Sequence, residues 1–282
     1  MSRPVDDSAW CEREYNPRLL APEVAATIGD RWAERAVEAR RRHPPAHAIR
    51  YGEHPREVVD VFRAPDARGA VLFIHGGYWR AFSKDSFSWI VDGFLPQGIS
   101  VAVLNYPLCP EVPLGRIVAA TRSAFVHLYP DVLNEAERRR LVVTGHSAGG
   151  YLTALHLATD WGALGLPTRP IAGAVPISGV FDLEPLVNTT MNEAIRLDGA
   201  EAARLSLHAE PMRSPAPAVF VVGGAESAEF HRQSEEMALH WGPAGTRVVD
   251  LAGRNHFDVI EGLAEPGSVL NRIVVDLVDG PS

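Results

Sequence analysis

Ser147 stands at the centre of the pentapeptide GHSAG, residues 145–149, which has the G-x-S-x-G pattern. The apolar run RLVVTG precedes it and the apolar helical pattern YLTALHLA follows, so the serine falls at a predicted turn from strand to helix. In such a nucleophile elbow the glycines allow a tight turn, and the hydroxyl is lifted above the carboxyl end of the sheet. We therefore predict that Ser147 is a nucleophile. A plain helix N-cap is the alternative, but it would not require the flanking glycines.

A serine hydroxyl is a weak nucleophile and needs a base within hydrogen-bond reach. Of the eleven histidines, His256 lies just after the last predicted strand, where a loop can bring it over the serine. This matches the order serine, acid, histidine expected along the chain. His146 is the runner-up because it neighbours the serine, but its side chain is expected to point away from the pocket. His256 is therefore the predicted base.

The base must be oriented by a carboxylate, and three acidic residues are candidates. Glu226 follows the penultimate predicted strand, where the acid usually lies, and glutamate is an accepted alternative to aspartate. Asp182 follows the preceding strand and is its rival, with Glu229 as a third candidate. Each could instead cap a loop or form a surface salt bridge. Glu226 is the predicted acid.

Attack on a carbonyl places negative charge on its oxygen, which backbone N–H groups can stabilise. The segment HGGYW, residues 75–79, follows a predicted strand and matches loops that donate such an amide, and the amide of Ala148 is the predicted second donor. A simple glycine turn is the alternative. Gly76, Tyr78 and Trp79 are predicted at the substrate pocket, the two aromatic residues as one wall of it. Packing in the core is the alternative for both rings.

Composition limits the class of protein. The 282 residues are 46% hydrophobic, and 27 basic against 35 acidic side chains give a formal net charge of -8. Such a chain can bury a large core, and its acidic balance argues against nucleic-acid binding. Cys11 and Cys109 are far apart and lack the spacing of a disulfide framework or a zinc site, so we expect a reducing compartment and no metal.

The N-terminus and the hydropathy pattern bear on location. The start MSRPVDDSAW is polar and acidic, unlike a signal peptide, and no apolar run approaches the length needed to span a bilayer. We therefore expect a soluble cytoplasmic protein that does not bind membranes. The sequence leaves homodimer formation open.

Hydrophobic periodicity predicts alternating strands and helices. Short apolar runs predict eight strands, namely HAIRY, VVDVFRA, GAVLFIHGG, SVAVLNYP, RLVVTG, IAGAVPISG, PAVFVVGG and TRVVDLAG. Helices are predicted over SKDSFSWIVDGFL, LGRIVAATRSAFVHLY, EFHRQSEEMALHWG and SVLNRIVVDLV. Continuous apolar strands between amphipathic helices indicate a mostly parallel sheet covered on both faces.

Two further segments complete a predicted single domain over residues 1–282. A helical N-terminal segment at about residues 10–43 contains PEVAATIGDRWAERAVEARRR, with four apolar residues predicted on or near one face: Val24, Ile28, Trp32 and Val37. Residues at about 182–212 break the alternation and predict a short helical insertion over one end of the sheet, the usual position of a cap.

Taken together, these residues resemble the α/β-hydrolase superfamily and, within it, the kynurenine formamidase (arylformamidase) group. HGGYW, GHSAGG, GGAESAEFHRQS and GRNHFDVI are similar to four landmarks of that group in the same order, and EREYNPR is similar to its N-terminal signature. The likeness runs from about residue 10 to the end, although some members of the group have aspartate at the acid position. It implies an α/β-hydrolase fold with a sheet of about eight strands. It also implies these roles: Ser147 as nucleophile, Glu226 as acid, His256 as base, and Gly77, Tyr78 and Ala148 around the oxyanion.

The resemblance also implies an activity, the cleavage of a small amide or ester through an acyl-enzyme with no cofactor. N-formylkynurenine or a similar aryl formamide is the expected substrate. The insertion is short and polar and lacks the large apolar surface of a lipid-interface lid, which favours small soluble substrates. A general carboxylesterase of small acyl or aryl esters is the alternative. A non-catalytic ligand-binding protein on the same fold and an acyltransferase are further alternatives.

Overall fold

All eight runs predicted as strands belong to one sheet in the computed structural model, which describes residues 4–242 and 245–280. The other positions of the predicted 1–282 domain lie outside the described residues. The strands are β1 His47–Arg50, β2 Val58–Phe62, β3 Gly69–Ile74, β4 Ile99–Leu104, β5 Leu141–His146, β6 Gly173–Ile177, β7 Ala218–Gly223 and β8 Thr246–Leu251.

The strand order is β1-β2-β4-β3-β5-β6-β7-β8. The pairs β1 with β2 and β2 with β4 are antiparallel, and the other pairs are parallel. Every residue of β3 to β7 is buried, as expected for strands covered on both faces. Ile74 at the end of β3 is in register with Gly145 of β5, so the chain leaves both strands at the same edge. The HGGYW and GHSAG segments are therefore neighbours.

Ten α-helices surround this sheet in the described part of the chain. They are α1 Ser8–Tyr15, α2 Pro17–Leu20, α3 Pro22–Arg42, α4 Leu114–Asp131, α5 Glu135–Arg139, α6 Ala148–Leu157, α7 Asn192–Ile195, α8 Gly199–Leu205, α9 Ala228–Trp241 and α10 Val269–Asp279. The mostly parallel sheet with helices agrees with the predicted fold class. No helix within the described ranges combines the length and the apolar character needed to cross a membrane.

The predicted N-terminal helix forms as α3, but its buried face differs at one position. Ile28 and Trp32 are buried, and the next buried position is Ala36, four residues further on. Val37 is 53% exposed, so its prediction on the apolar face was wrong. The i, i+4 spacing continues the stripe from Trp32 to Ala36 and rotates Val37 away from the packed face of the helix.

The helix predicted over SKDSFSWIVDGFL was also wrong. The segment forms three 3-10 helices, Lys84–Ser86, Ser88–Gly93 and Leu95–Gln97. Its apolar side chains are buried except for the partly buried Leu95, so the segment lacks the single solvent face of an amphipathic helix. A Cβ atom at Gly93 would lie 1.9 Å from the carbonyl oxygen of Leu263, so the backbones meet too closely for a regular helical side-chain row.

The region predicted as a cap contains a 3-10 helix at Glu184–Asn188 followed by α7 and α8. It is connected by hydrogen bonds to two residues near the start of the chain, Val5 and Glu12. Asn188 Nδ2 donates to the carbonyl oxygen of Val5 at 2.8 Å, and the Thr190 amide donates to Glu12 Oε2 at 2.8 Å. The insertion and the N-terminal segment thus cover the same edge of the sheet.

Candidate active site

Ser147 occupies a strained turn between β5 and α6, with φ 57° and ψ -118°. Its amide donates to the carbonyl oxygen of Ile177 at 2.8 Å, which ties the turn to the end of β6. Its hydroxyl makes no capping bond to α6, so capping does not account for the serine. A left-handed backbone at a non-glycine residue is costly and persists where the surroundings impose it.

The flanking glycines explain how this turn is possible. A Cβ atom at Gly145 would lie 2.4 Å from the carbonyl oxygen of Gly149, and one at Gly149 would lie 2.0 Å from that of Ile74. Both distances are far shorter than a real Cβ contact allows. The helix therefore approaches the sheet closely only because both residues are glycine.

Glu226 and His256 form a buried pair. His256 Nδ1 lies 2.6 Å from Glu226 Oε2, and the exposed fractions of the two side chains are 6% and 0%. Glu226 Oε1 accepts from Ser178 Oγ at 2.5 Å and from the Gly223 amide at 2.7 Å. An ionised carboxylate only accepts hydrogen bonds, so Nδ1 of His256 carries the proton and Nε2 is the basic nitrogen. The predicted acid and base are thus brought together.

The two rival acids lie elsewhere. Asp182 Oδ1 accepts from the Glu184 amide at 3.2 Å, and Asp182 Oδ2 lies 4.0 Å from Arg232 Nη2. Glu229 accepts from the Tyr15 hydroxyl at 2.5 Å and from Arg232 Nε at 2.9 Å. Both carboxylates therefore belong to networks beside the His256 pair, and neither orients the base.

His146, the alternative base, has a positioning role instead. Its Nε2 lies 2.7 Å from the carbonyl oxygen of His256, and the two rings are 4.7 Å apart. Because a carbonyl only accepts, Nε2 of His146 carries the proton. Burial keeps the pKa of His146 well below its usual value, so the ring is neutral and anchors the backbone of His256. His146 nevertheless lines the same cavity as His256, contrary to the expectation that it points away.

The HGGYW loop packs directly on the serine turn. A Cβ atom at Gly76 would lie 2.6 Å from the carbonyl oxygen of His146 and 3.2 Å from Ser147 Cβ. Gly77 and Tyr78 have left-handed backbones, with φ values of 106° and 47°. Ala148 is the first residue of α6, where the helix dipole favours negative charge. The three predicted oxyanion donors therefore lie on the two segments that meet at Ser147.

His75 supports this loop from below and is not a second base. Its ring stacks on Tyr106 with centroids 4.2 Å apart, and the Tyr106 hydroxyl donates to the His75 carbonyl oxygen at 2.7 Å. Complete burial lowers the pKa of His75 to about 3, so the ring is neutral.

The prediction that Trp79 contacts the substrate was wrong. Tyr78 lines the cavity that contains Ser147 and His256, but Trp79 does not. Trp79 is fully buried, and its ring packs edge-on against Tyr151 with centroids 5.4 Å apart. Two consecutive left-handed residues separate the neighbouring side chains, one toward the cavity and one into the core. Sequence spacing does not reveal such a reversal.

The cavity has a volume of about 530 Å³ and contains Ser147 and His256. Residues between Asn16 and Trp32 contribute more of its wall than any other segment, a role that the sequence analysis missed. The EREYNPR signature was the available signal, because Asn16, Pro17 and Arg18 all line the cavity. The predicted insertion contributes Met191 and Ala194.

Two kinds of side chain complete the cavity. Aromatic residues form its apolar wall, namely Trp32, Tyr78, Phe82, Phe87 and Phe257. Three exposed charged residues lie at its rim, namely Arg18, Asp30 and Arg80. None of these three forms an ion pair with another residue of the ranges 4–242 and 245–280. The cavity therefore offers an apolar surface with charged side chains of both signs at its rim.

Within the same ranges, no group of three or more His, Cys, Asp or Glu side chains is placed to hold a metal ion.

An elbow serine at the carboxyl edge of a mostly parallel sheet, in one cavity with a histidine paired to a carboxylate, defines a hydrolase of the α/β-hydrolase class. A family model described as alpha/beta hydrolase fold matches residues 71–256, and the chain belongs to that family. The chain is 27% identical over 289 residues to a kynurenine formamidase of Danio rerio, covering 99% of this chain and 97% of the relative. A kynurenine formamidase of Drosophila melanogaster is 27% identical over 243 residues, with 80% and 79% covered.

Solved structures agree with this assignment. A candidate thioesterase from Silicibacter sp. is similar with a TM-score of 0.84 and 33% identity, covering 94% of this chain and 98% of that one. An arylesterase has a TM-score of 0.69 at 18% identity, with 93% and 97% covered, which shows the shared fold. The protein is thus a hydrolase of the amidase and esterase type.

Proposed function

We propose that this protein is a serine-dependent arylformamidase that cleaves N-formylkynurenine or a closely similar aryl formamide. The Glu226–His256 pair, whose histidine lines the same cavity of about 530 Å³ as Ser147, is the observation that carries this proposal. The similarity to kynurenine formamidases over nearly the whole chain supports the choice of substrate.

In the proposed mechanism, Nε2 of His256 takes the proton of Ser147 as Oγ attacks the formyl carbon. The amides of Gly77, Tyr78 and Ala148 stabilise the resulting oxyanion. The carbon–nitrogen bond then breaks, and protonated His256 gives its proton to the departing arylamine. Water attacks the formyl ester of Ser147 with His256 again as base, which releases formate and restores the serine.

The cavity supports an aryl amino acid better than an aliphatic ester. The aromatic wall suits a benzene ring, which offers a flat apolar face. N-formylkynurenine also carries an α-carboxylate and an α-ammonium group. Arg18 and Arg80 offer partners for the first charge and Asp30 a partner for the second, all at the cavity rim.

The test is steady-state hydrolysis of N-formylkynurenine beside p-nitrophenyl acetate, with Ser147→Ala as the blank. We expect a higher kcat/KM for the formamide, and a loss of several orders of magnitude in the variant. Labelling by a fluorophosphonate probe, present in the native protein and absent in the variant, shows that Ser147 is the reactive group. Undiminished turnover by the variant would refute the serine mechanism.

A general carboxylesterase of small acyl or aryl esters is the second candidate. The observation in its favour is the 33% identity, over 94% of this chain, to a protein described as a candidate thioesterase, which would cleave an acyl–sulfur bond instead of a formamide. Efficient ester turnover with negligible deformylation would support this candidate and leave the catalytic residues unchanged.

A further inference from the structure

The backbone amide of Tyr78 is a predicted oxyanion donor, and its side chain is hydrogen-bonded to a residue near the N-terminus. Its hydroxyl donates to the carbonyl oxygen of Tyr15, the last residue of α1. The side chain is 8% exposed, and its backbone has a φ of 47°. A left-handed conformation at a bulky residue is unfavourable and needs surrounding contacts to hold it. The hydrogen bond to Tyr15 is one such contact.

Tyr15 is itself held firmly. It is 1% exposed, its hydroxyl donates to Glu229 Oε2 at 2.5 Å, and it accepts from Gln233 Nε2 at 2.9 Å. Glu229 and Gln233 both lie on α9. Burial and the adjacent Glu229 carboxylate raise the pKa of Tyr15 above its usual value, so the hydroxyl stays protonated as a donor.

The same helix α9 contacts the base. It begins two residues after Glu226, and its Phe230 ring lies 4.7 Å from the ring of His256. Gln233 Oε1 also accepts from the amides of Phe181 and Asp182 at 2.5 Å and 2.9 Å, which are at the start of the insertion. One helix therefore positions the acid, the base and, through Tyr15, the loop with the oxyanion donors.

We propose that the Tyr78 hydroxyl and Tyr15 are positioning groups that set the backbone amides of the HGGYW loop for transition-state stabilisation. The N-terminal segment then supports the oxyanion hole through Tyr15, in addition to lining the cavity. The inference rests on the proposed serine mechanism. It does not depend on which acyl group is cleaved.

The test uses Tyr78→Phe, which retains the ring and the backbone amide and removes only the donor to Tyr15. We expect kcat to fall at least about tenfold with KM within about twofold, because misplaced donors weaken only the transition state. Phenylboronic acid, which forms a tetrahedral adduct on a nucleophilic serine, should lose affinity by a similar factor. The affinity for the arylamine product, which carries no oxyanion, should be unchanged.

Tyr51→Phe is the matched control. Tyr51 also donates its hydroxyl to a backbone carbonyl, that of Asn105, at 2.6 Å, but it does not line the cavity. We expect its kcat and boronate affinity to equal those of the native protein. If Tyr51→Phe lowered kcat as much as Tyr78→Phe, general loosening would explain the result and the inference would be overturned.

Tyr15→Phe examines the coupling directly. It removes the bond to Glu229 and should lower kcat in the native background, but hardly at all in the Tyr78→Phe background, where the connection is already broken. Additive losses would contradict the inference. The assays can use p-nitrophenyl acetate, so a failure to deformylate N-formylkynurenine would refute the substrate proposal alone. Absence of any boronate adduct in the native protein would refute both the serine mechanism and the positioning role of Tyr78 and Tyr15.

Discussion

Replacing Glu226 by glutamine removes the negative charge and one acceptor oxygen of this residue but keeps its shape. The Gly223 amide and the Ser178 hydroxyl donate to one oxygen of Glu226, at 2.7 Å and 2.5 Å. In Glu226→Gln these donors hold the amide oxygen in that position, because the Gly223 N–H cannot turn away. The side-chain NH₂ group then faces His256 Nδ1, where the carboxylate oxygen lay 2.6 Å away. Nδ1 must accept, and the proton of the neutral ring moves to Nε2.

A histidine protonated at Nε2 cannot take the proton of Ser147. The expected loss in kcat is therefore about 10³–10⁴, equivalent to about 4–5.5 kcal/mol of transition-state stabilisation. The assay is steady-state turnover of N-formylkynurenine and of p-nitrophenyl acetate near neutral pH, with the midpoint of denaturant unfolding as a check on folding.

Asp182→Asn is the matched control. Asp182 is the rival acid from the sequence, and its Oδ1 accepts from the Glu184 amide, a bond that asparagine retains. We expect its kcat to stay within about twofold of the native value. If Glu226→Gln retained a tenth or more of native kcat, or if Asp182→Asn lost as much, the assignment of the acid would be refuted.

Three further predictions test the cavity rim, the glycine-rich elbow and the buried His156. Arg80→Gln should raise KM for N-formylkynurenine about fivefold relative to KM for p-nitrophenyl acetate, since an exposed charge pair contributes about 1 kcal/mol. Equal effects on the two KM values would argue against recognition of the substrate carboxylate by Arg80. Gly149→Ala should lower the free energy of unfolding by about 3 kcal/mol or more, because its Cβ would lie 2.0 Å from the Ile74 carbonyl oxygen. Gly199→Ala is the control: its Cβ would meet nothing within 4 Å, and it should cost less than about 1 kcal/mol. Burial lowers the pKa of His156 from its usual 6.5 to about 4. The free energy of unfolding is therefore fully present above pH 6.5 and falls at lower pH, where the unfolded state takes up the proton. His156→Gln should reduce this fall between pH 7 and pH 5 by about 2 kcal/mol, and an unchanged fall would show that His156 is not neutral in the folded protein.

Much of the sheet could be predicted from the sequence because its strands are short, continuous apolar runs. The positions of Ser147, Glu226 and His256 after β5, β7 and β8 followed from the same pattern. Parallel strands deliver their carboxyl ends to one edge, so residues that are distant in sequence become neighbours there. The choice among three carboxylates depended on the strand that each one follows. In the structure Glu226 lies before α9 and contacts His256, whereas Glu229 lies within α9 and contacts Tyr15 and Arg232.

The errors have a common physical origin in three-dimensional context. The direction of the Trp79 side chain follows from two left-handed residues, and local sequence does not specify that handedness. The periodicity of α3 identified a buried stripe without showing that Ala36 would continue it in place of Val37. The middle 3-10 helix, Ser88–Gly93, has five of its six residues buried, so tertiary packing outweighs helical propensity there.

The bond between Tyr15 and Glu229 joins residues separated by 214 positions. During synthesis Tyr15 leaves the ribosome long before Glu229. The hydrogen bond that holds α1 in place can therefore form only after α9 has been made. Contacts of such long range form late and slow the folding of a domain. Hydrolytic activity should consequently appear only at the final stage of folding, and refolding followed by ester turnover should lag behind refolding followed by secondary structure.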